Sequence, residues 1–169
     1  NTVYEKYFTE NDCLDKIGQF IDPFLFLSYP YDTNDEVHGF RHDAMKEICG
    51  EPIKYVCRGG LFGGTKAAIR EANGEYYALV QSTLGRGLMG TEESIFTIMA
   101  YLFPHKYKRY SLDYNGLVVK FVQDLLDSKT VLEAVPEQKA NVVNKHVDPT
   151  KFKVSVYMLT FNFPEQVKH

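Results

Sequence analysis

The sequence of 169 residues has no tryptophan, only three cysteines and no long apolar run. No run approaches the roughly 20 apolar residues that span a bilayer, so we predict no membrane-spanning segment. Cys13, Cys49 and Cys57 form no CxxC pair and show no metal-ligand spacing. An odd number of cysteines without a secretory signal favours reduced thiols and a cytoplasmic protein.

Net charge is also small. The formal value is −3 and the basic residues are scattered along the chain, which argues against a nucleic acid as partner. Apolar and aromatic residues are plentiful, at 44% and 14%, and they suffice for a packed core. The length is that of one domain, or of one domain plus a fragment.

Hydrophobic periodicity and turn signals divide the chain into alternating strands and helices. Strands are predicted at 23–31 (ended by Pro30), 53–58, 107–116 (with a turn) and Val154–Phe161; helices at 42–50 (ended by Gly50), behind Thr65, at 91–103 (capped by Thr91) and at 117–127; and loops at 32–40 and 85–90. This alternation indicates an α/β architecture.

The stretch RGGLFGGTK, residues 58–66, places four glycines within six positions. It fits neither the GxxxxGK[ST] nor the GxGxxG phosphate-binding pattern. Two interpretations remain open. Glycine permits a sharp turn at positive φ between a strand and the helix capped by Thr65, or it lets a ligand approach the backbone closely. An anionic group would suit the helix start that follows.

The pair Glu92-Glu93 opens the helix predicted at 91–103. Acidic residues in a first turn offset the helix macrodipole by about 0.3–1 kcal/mol each, which is reason enough for them to be there. The same position favours the charged form of a carboxylate. A charged carboxylate suits a nucleophile, a general base or a group that stabilises an oxocarbenium-like charge.

Both features occur within one longer pattern. YVCRGGLFGGTKAAI is followed by a helix, then GTEESIFTIMAYLF, then YKRYSLDY. This order resembles the retaining family 6 glycosyltransferases, which include the blood-group A and B transferases; there YxxGGFFGGS precedes a helix, a D-E-S helix start and a strand ending in S-P-E-Y. The motifs GGxFGG and MGTEESIFTI are also similar to those of HtrL-type bacterial proteins of surface-glycan loci. The resemblance covers roughly residues 36–116.

The resemblance implies an α/β, GT-A-like (Rossmann-like) glycosyltransferase fold, of which this chain would hold the C-terminal, acceptor-side portion. Residues 1–127 would belong to that domain and 128–150 would be a linker. Residues 151–169 would begin a following domain, and they resemble the opening strand of a second glycosyltransferase. Since the chain begins at Asn1 without Met, we expect it to be a piece of a longer polypeptide.

On the donor side, the resemblance assigns three roles. Glu93 matches the glutamate that acts as nucleophile or charge stabiliser, and Glu92 matches its acidic neighbour. Arg58, Gly59 and Gly60 match the stretch that touches the donor sugar and sets its identity. Arg58 replaces an apolar residue of the family, which implies a different donor sugar.

On the acceptor side, His38 in EVHGF resembles an acceptor-binding histidine, and Asp113 resembles a later acidic residue near acceptor and donor sugar. His38 could equally be a solvated loop residue, and Asp113 an ordinary turn residue. The family's histidine before the acidic pair is Thr91 in this chain.

The family also implies a divalent cation, Mn²⁺ or Mg²⁺, that is held by a DxD motif and bridges the nucleotide diphosphate. No DxD motif occurs in the sequence, so we expect the metal ligands and the nucleotide-binding half before Asn1. The function predicted is transfer of a sugar from a nucleotide-sugar donor to a glycan acceptor. One alternative is a non-catalytic carbohydrate- or nucleotide-sugar-binding module. Another is a structural spacer, which would leave the acidic pair Glu92-Glu93 and the four glycines unexplained.

Overall fold

The computed structural model describes residues 13–31, 35–113, 118–127 and 155–157. The helices are α1 (Cys13–Ile21), α2 (His42–Cys49), α3 (Lys66–Gly85), α4 (Glu92–Leu102) and α5 (Val118–Leu126), and the strands are β1 (Phe24–Pro30), β2 (Glu36–Val37), β3 (Phe40–Arg41), β4 (Tyr55–Gly64), β5 (Lys108–Ser111) and β6 (Ser155–Tyr157). The mixture of helices and strands is of the α/β class that the alternation predicts.

The main sheet has the strand order β5-β1-β4-β6. β1 is parallel to β5 and antiparallel to β4, and β4 is antiparallel to β6. The sheet is therefore mixed. β1 lies at its centre and is buried along most of its length, as expected of the apolar run FLFL between two neighbouring strands.

Side chains of β1 alternate between two cores. Phe24 and Phe26 belong to the cluster formed with α2, α3 and α4. Leu25 and Leu27 belong to the cluster formed with α1 and α5. Successive side chains of a strand point to opposite faces, so the sheet separates two helical layers.

The glycine stretch is a strand rather than a turn, which corrects the prediction of a strand that ends at residue 58. β4 runs from Tyr55 to Gly64. Its register against β1 jumps from Leu27↔Arg58 to Phe26↔Phe62. Gly59, Gly60 and Leu61 thus form a bulge with no partner on β1. None of the four glycines has positive φ, so left-handed backbone does not explain them, whereas close packing accounts for Gly59, Gly60 and Gly64.

Gly64 shows this close packing most clearly. A Cβ atom at Gly64 would lie 2.5 Å from the carbonyl oxygen of Pro23 and 3.1 Å from the Cα of Phe24. These are backbone atoms, which cannot move aside cheaply. The space between β4 and the start of β1 therefore admits only glycine at this position.

Helix ends agree with the sequence signals in two of three cases. Thr65 caps α3, since its Oγ1 accepts the Ala68 N–H at 3.2 Å, and Gly50 ends α2 with φ of 74°. Thr91 stands at the N-cap position of α4 but its side chain makes no capping hydrogen bond. The predicted capping role of Thr91 is therefore wrong for its hydroxyl.

The loop predicted at 32–40 also needs correction. Residues 32–34 lie outside the described residues, but Glu36–Val37 and Phe40–Arg41 pair as a two-stranded antiparallel hairpin. His38 and Gly39 form its two-residue turn with φ of 50° and 83°, the signs of a type I′ turn. The hairpin gives His38 a defined place.

The remaining sequence predictions concern the end of the chain. The polar stretch 128–150 lies outside the described residues, and of the strand predicted at Val154–Phe161 only β6 is described, paired with Phe62–Gly64. The division into domains stays a prediction. Among the described helices, none is both long and apolar enough to cross a membrane.

Candidate functional site

The Glu93 carboxylate, at the start of α4, binds groups from two other elements. Oε1 accepts the backbone N–H of Gly59 on β4 at 2.8 Å. Oε2 lies 3.1 Å from Nε2 of His38 and 3.5 Å from Nη1 of Arg58. Only 14% of the side chain is exposed. The sequence motifs are thereby brought together: the glycine stretch, the acidic pair and the histidine meet at one carboxylate.

His38 links Glu93 to Tyr29, near the end of β1. The Tyr29 hydroxyl lies 3.0 Å from the same Nε2 that faces Glu93. A carboxylate oxygen can only accept, so Nε2 carries the proton when it bonds to Glu93. The Tyr29 oxygen then shares that N–H, and its own O–H is free to donate elsewhere.

The β2–β3 hairpin holds His38 in place through two bonds to α4. The Thr91 N–H donates to the His38 carbonyl at 3.1 Å, and the buried Ser94 hydroxyl donates to the Val37 carbonyl at 2.8 Å. Both donors belong to the segment that carries Glu93. The imidazole and the carboxylate are therefore positioned from the same helix start.

Arg58 adds a positive charge to the site. Its guanidinium carbon lies 5.4 Å from the centre of the Tyr29 ring, within the range of a cation–π contact. Its Nε is buried and has no hydrogen-bond partner among the described residues, while about a third of the side chain is exposed. Arg58 is thus held by Tyr29 and Glu93, while part of its side chain is exposed to solvent.

Tyr29 is the residue of this site that sequence analysis missed. Burial raises the pKa of Tyr29, and the Glu93 charge raises it further, so Tyr29 keeps its proton and can act as a donor. A usable signal was present: Tyr29 stands at the carboxyl end of an apolar strand, where α/β sheets place ligand-binding groups.

Glu92 also packs against Gly59. Its Oε1 lies 2.8 Å from where a Cβ of Gly59 would be, and the side chain lines a cavity of about 570 Å³ together with Phe62 and Tyr76. Glu92 therefore faces this cavity, whereas Glu93 does not line it and contacts Gly59, His38 and Arg58 instead.

Gly60 and Asp113 are not among the groups that contact Glu93. A Cβ at Gly60 would meet the side chain of Val118 on α5 at 3.0 Å, which gives this glycine a packing reason. Asp113 is exposed two residues past the end of β5. Because β5 runs parallel to β1, Asp113 lies at the same end of the sheet as Tyr29.

The expected metal has no ligand set here. Within the described ranges, no group of three His, Cys, Asp or Glu side chains could hold a metal ion. The residues of the site therefore do not fit the divalent cation that the family resemblance implies.

Comparisons with protein-family models, with curated proteins and with solved structures give no match. The resemblance to glycosyltransferases accordingly depends on the motifs quoted above.

Proposed function

We propose that the Glu93 site is part of the active site of a GT-A-like glycosyltransferase. The enzyme transfers a sugar from a nucleotide-sugar donor to a glycan acceptor, with retention of configuration, in surface-polysaccharide or glycan synthesis. The observation that carries the proposal is the fixed Glu93 carboxylate, which binds Gly59, His38 and Arg58 together. These residues are the ones that the motif resemblance assigns to sugar binding and catalysis.

The position of the site in the sheet supports ligand binding. Ligands of α/β proteins bind beyond the carboxyl ends of parallel strands. β1 and β5 are parallel, and Tyr29 and Asp113 lie at their carboxyl ends. The site also adjoins the bulge at Gly59–Leu61, whose Gly59 N–H binds Glu93, and a bulge is a common device next to active sites.

The chemistry proposed for Glu93 is electrostatic or nucleophilic. Each carboxylate oxygen has more than one lone-pair direction, so the bonds to Gly59 and His38 leave capacity for a substrate group. The carboxylate can face the positive charge that develops on an anomeric carbon, as in oxocarbenium-like transition states of sugar transfer. His38 and Tyr29 offer hydrogen bonds to sugar hydroxyls, and Arg58 offers a charge to the donor.

No step of this proposal passes through a metal ion, because the described residues provide no ligands for one. If a divalent cation takes part, it neutralises the charge of the nucleotide diphosphate, and its ligands belong to other residues.

The test uses the full-length polypeptide that contains these residues. Release of nucleoside diphosphate and transfer to glycan acceptors are measured over a panel of nucleotide sugars with Mn²⁺ or Mg²⁺. With the donor and acceptor that give activity, we expect Glu93→Gln to lower kcat by about 10²-fold or more, the effect of losing one preorganised electrostatic group. Glu92→Gln has a smaller effect, and Glu51→Gln, an exposed position elsewhere, is the charge-matched control.

Thermal unfolding is recorded for the same variants. Glu93→Gln is expected to cost about 1–3 kcal/mol, since one hydrogen-bonded charged group is lost from a largely buried position. A Glu93→Gln protein that folds and keeps near-normal kcat would contradict the catalytic assignment.

One observation favours the alternative of a non-catalytic sugar-binding module: both oxygens of Glu93 already have partners within the protein. A module of this kind binds a nucleotide sugar or glycan without turning it over. In the same assays it would show saturable binding, no release of nucleoside diphosphate, and an effect of Glu93→Gln on stability alone.

A further inference from the structure

We propose that the groove between α3 and the sheet binds an elongated apolar ligand that carries an anionic group at one end. This inference goes beyond the proposed sugar transfer. Of the Glu92-Glu93 pair only Glu92 lines the groove, and neither His38 nor Arg58 does. Its test is a binding measurement, so its outcome is independent of transferase activity.

The size and lining of the groove fit a small ligand. Its volume is about 570 Å³, within the range of roughly 300–1,000 Å³ typical of ligand pockets. The floor is apolar and largely aromatic, with Phe26 from β1, Phe62 from β4 and Phe96 from α4. Phe26 and Phe96 are at most 8% exposed and form a packed floor. Phe62 and Tyr76 are half-buried and Tyr77 is exposed, so these three rings offer a ligand its apolar contact surface.

The rim of the groove is polar and belongs to one stripe of α3. Lys66, Arg70, Asn73 and Tyr77 line it and follow one another at intervals of four, three and four residues, which places them on the same face of a helix. The ligand would therefore lie along the helix axis, with Asn73 and Tyr77 as hydrogen-bonding groups beside it.

The positive charge of the groove is concentrated at the beginning of α3. Lys66 and Arg70 are exposed and form no hydrogen bond or ion pair with an acidic group in the described part of the chain. Acidic residues are absent from the first turn of α3, so no negative side chain of that turn offsets the positive end of the helix dipole. Two unneutralised cations and this dipole attract an anion to the same place.

The opposite end of the groove is acidic. Glu92 lies there with Tyr76, whose pKa is raised by burial and by the Glu92 charge. Tyr76 is ten residues beyond Lys66, or about 15 Å along a helix at 1.5 Å per residue. The ligand is therefore oriented, with its anionic group at Lys66 and Arg70 and its apolar body extending toward Glu92, which can accept a hydroxyl or amide hydrogen.

The experiment uses a dansyl-labelled undecanoate as fluorescent probe with the full chain. We expect saturable binding with a blue-shifted emission, competition by dodecanoate or dodecyl phosphate, weaker competition by dodecanol, and none by dodecylammonium. The double variant Lys66→Ala/Arg70→Ala should weaken binding of the probe by about tenfold, the equivalent of 1.4 kcal/mol. Lys46→Ala, at an exposed position of α2, should leave binding unchanged.

A second variant fills the groove. Ala72 lines it from α3 and is 7% exposed. Ala72→Leu should reduce probe binding, and its melting temperature is recorded beside the binding curve because added methylenes at a buried position strain the packing. Unchanged binding by both Ala72→Leu and Lys66→Ala/Arg70→Ala would overturn the proposal. Equal affinity for dodecanoate and dodecylammonium would overturn the assigned charge. Sedimentation with anionic vesicles but no binding of monomeric probe would overturn the single-ligand site.

Discussion

The carboxylate of Glu93 accepts a hydrogen bond from the backbone N–H of Gly59, with 2.8 Å between Oε1 and the nitrogen. Oε1 of Glu92 lies 2.8 Å from where a Cβ of the same glycine would be. Two consecutive acidic residues at the start of α4 thus both lie close to one residue of the β4 bulge. This arrangement brings the glycine stretch and the acidic pair into direct contact.

The first prediction separates two glycines by what surrounds them. Gly64→Ala should be strongly destabilising, by roughly 3 kcal/mol or more, because its Cβ would overlap backbone atoms of Pro23 and Phe24. Gly74→Ala, within α3 and with no atom near the added Cβ, should stabilise by roughly 0.5–1 kcal/mol. Urea unfolding followed by circular dichroism measures both. Equal effects of the two substitutions would contradict the packing of β4 against β1.

A second prediction concerns two threonines that precede helices. Thr65→Ala removes the hydrogen bond to the Ala68 N–H and should cost about 1 kcal/mol, the usual value of an N-cap. Thr91→Ala removes a hydroxyl that makes no capping bond and should cost only a few tenths of that. The two variants serve as mutual controls in the same unfolding experiment, and a Thr91→Ala cost as large as that of Thr65→Ala would refute the cap geometry.

Alkaline pH should weaken the fold through Cys57. Burial raises the pKa of this thiol from 9.0 to about 12. Between these values the unfolded chain releases the proton and the folded chain keeps it, so stability is complete below pH 9 and falls as the pH rises toward 12. Each such group contributes a slope of at most about 1.4 kcal/mol per pH unit.

Cys57→Ala is the matched variant for that measurement. Its free energy of unfolding should fall less steeply with pH above 9 than that of the unsubstituted protein, even if it is less stable at pH 7. Identical slopes from urea unfolding at a series of pH values would show that Cys57 does not keep its proton in the folded chain.

Local sequence signals were sufficient for much of the fold. The run FLFLSYP predicted β1, Gly50 predicted the end of α2, and Thr65 predicted the start of α3, because strand burial and helix caps depend on neighbours in sequence. The glycines of β4 led to a wrong prediction, because Gly-Gly is a local signal for a turn. Gly64 is needed here for another reason: Pro23 and Phe24, which belong to a distant segment of the chain, lie too close for a side chain.

The candidate site was accessible only in parts. Glu92 and Glu93 could be placed at a helix start from sequence, but the contacts of Glu93 with His38, Arg58 and Gly59 join residues 34 to 55 positions apart. Such contacts depend on how the sheet and hairpin pack. Tyr29 entered the site for the same reason, and nothing in its immediate sequence marks it as a partner of His38.

The last prediction separates the backbone role of His38 from its chemical role. His38 has φ of 50°, a left-handed conformation that costs a residue with a Cβ roughly 1–2 kcal/mol. His38→Ala and His38→Gly both remove the imidazole from Glu93 and Tyr29, but only glycine relieves the backbone. We therefore expect His38→Gly to be more stable than His38→Ala by about 1 kcal/mol, the reverse of the order found where φ is negative. Urea unfolding of both variants beside His42→Ala and His42→Gly, at a helix start with ordinary φ, gives the comparison.

In the full-length polypeptide the two His38 variants should lose sugar transfer to the same extent, since the lost imidazole is common to both. If His38→Ala is the more stable of the two, the turn between β2 and β3 is not left-handed at this residue; if the variants differ in transfer, the backbone rather than the imidazole determines activity.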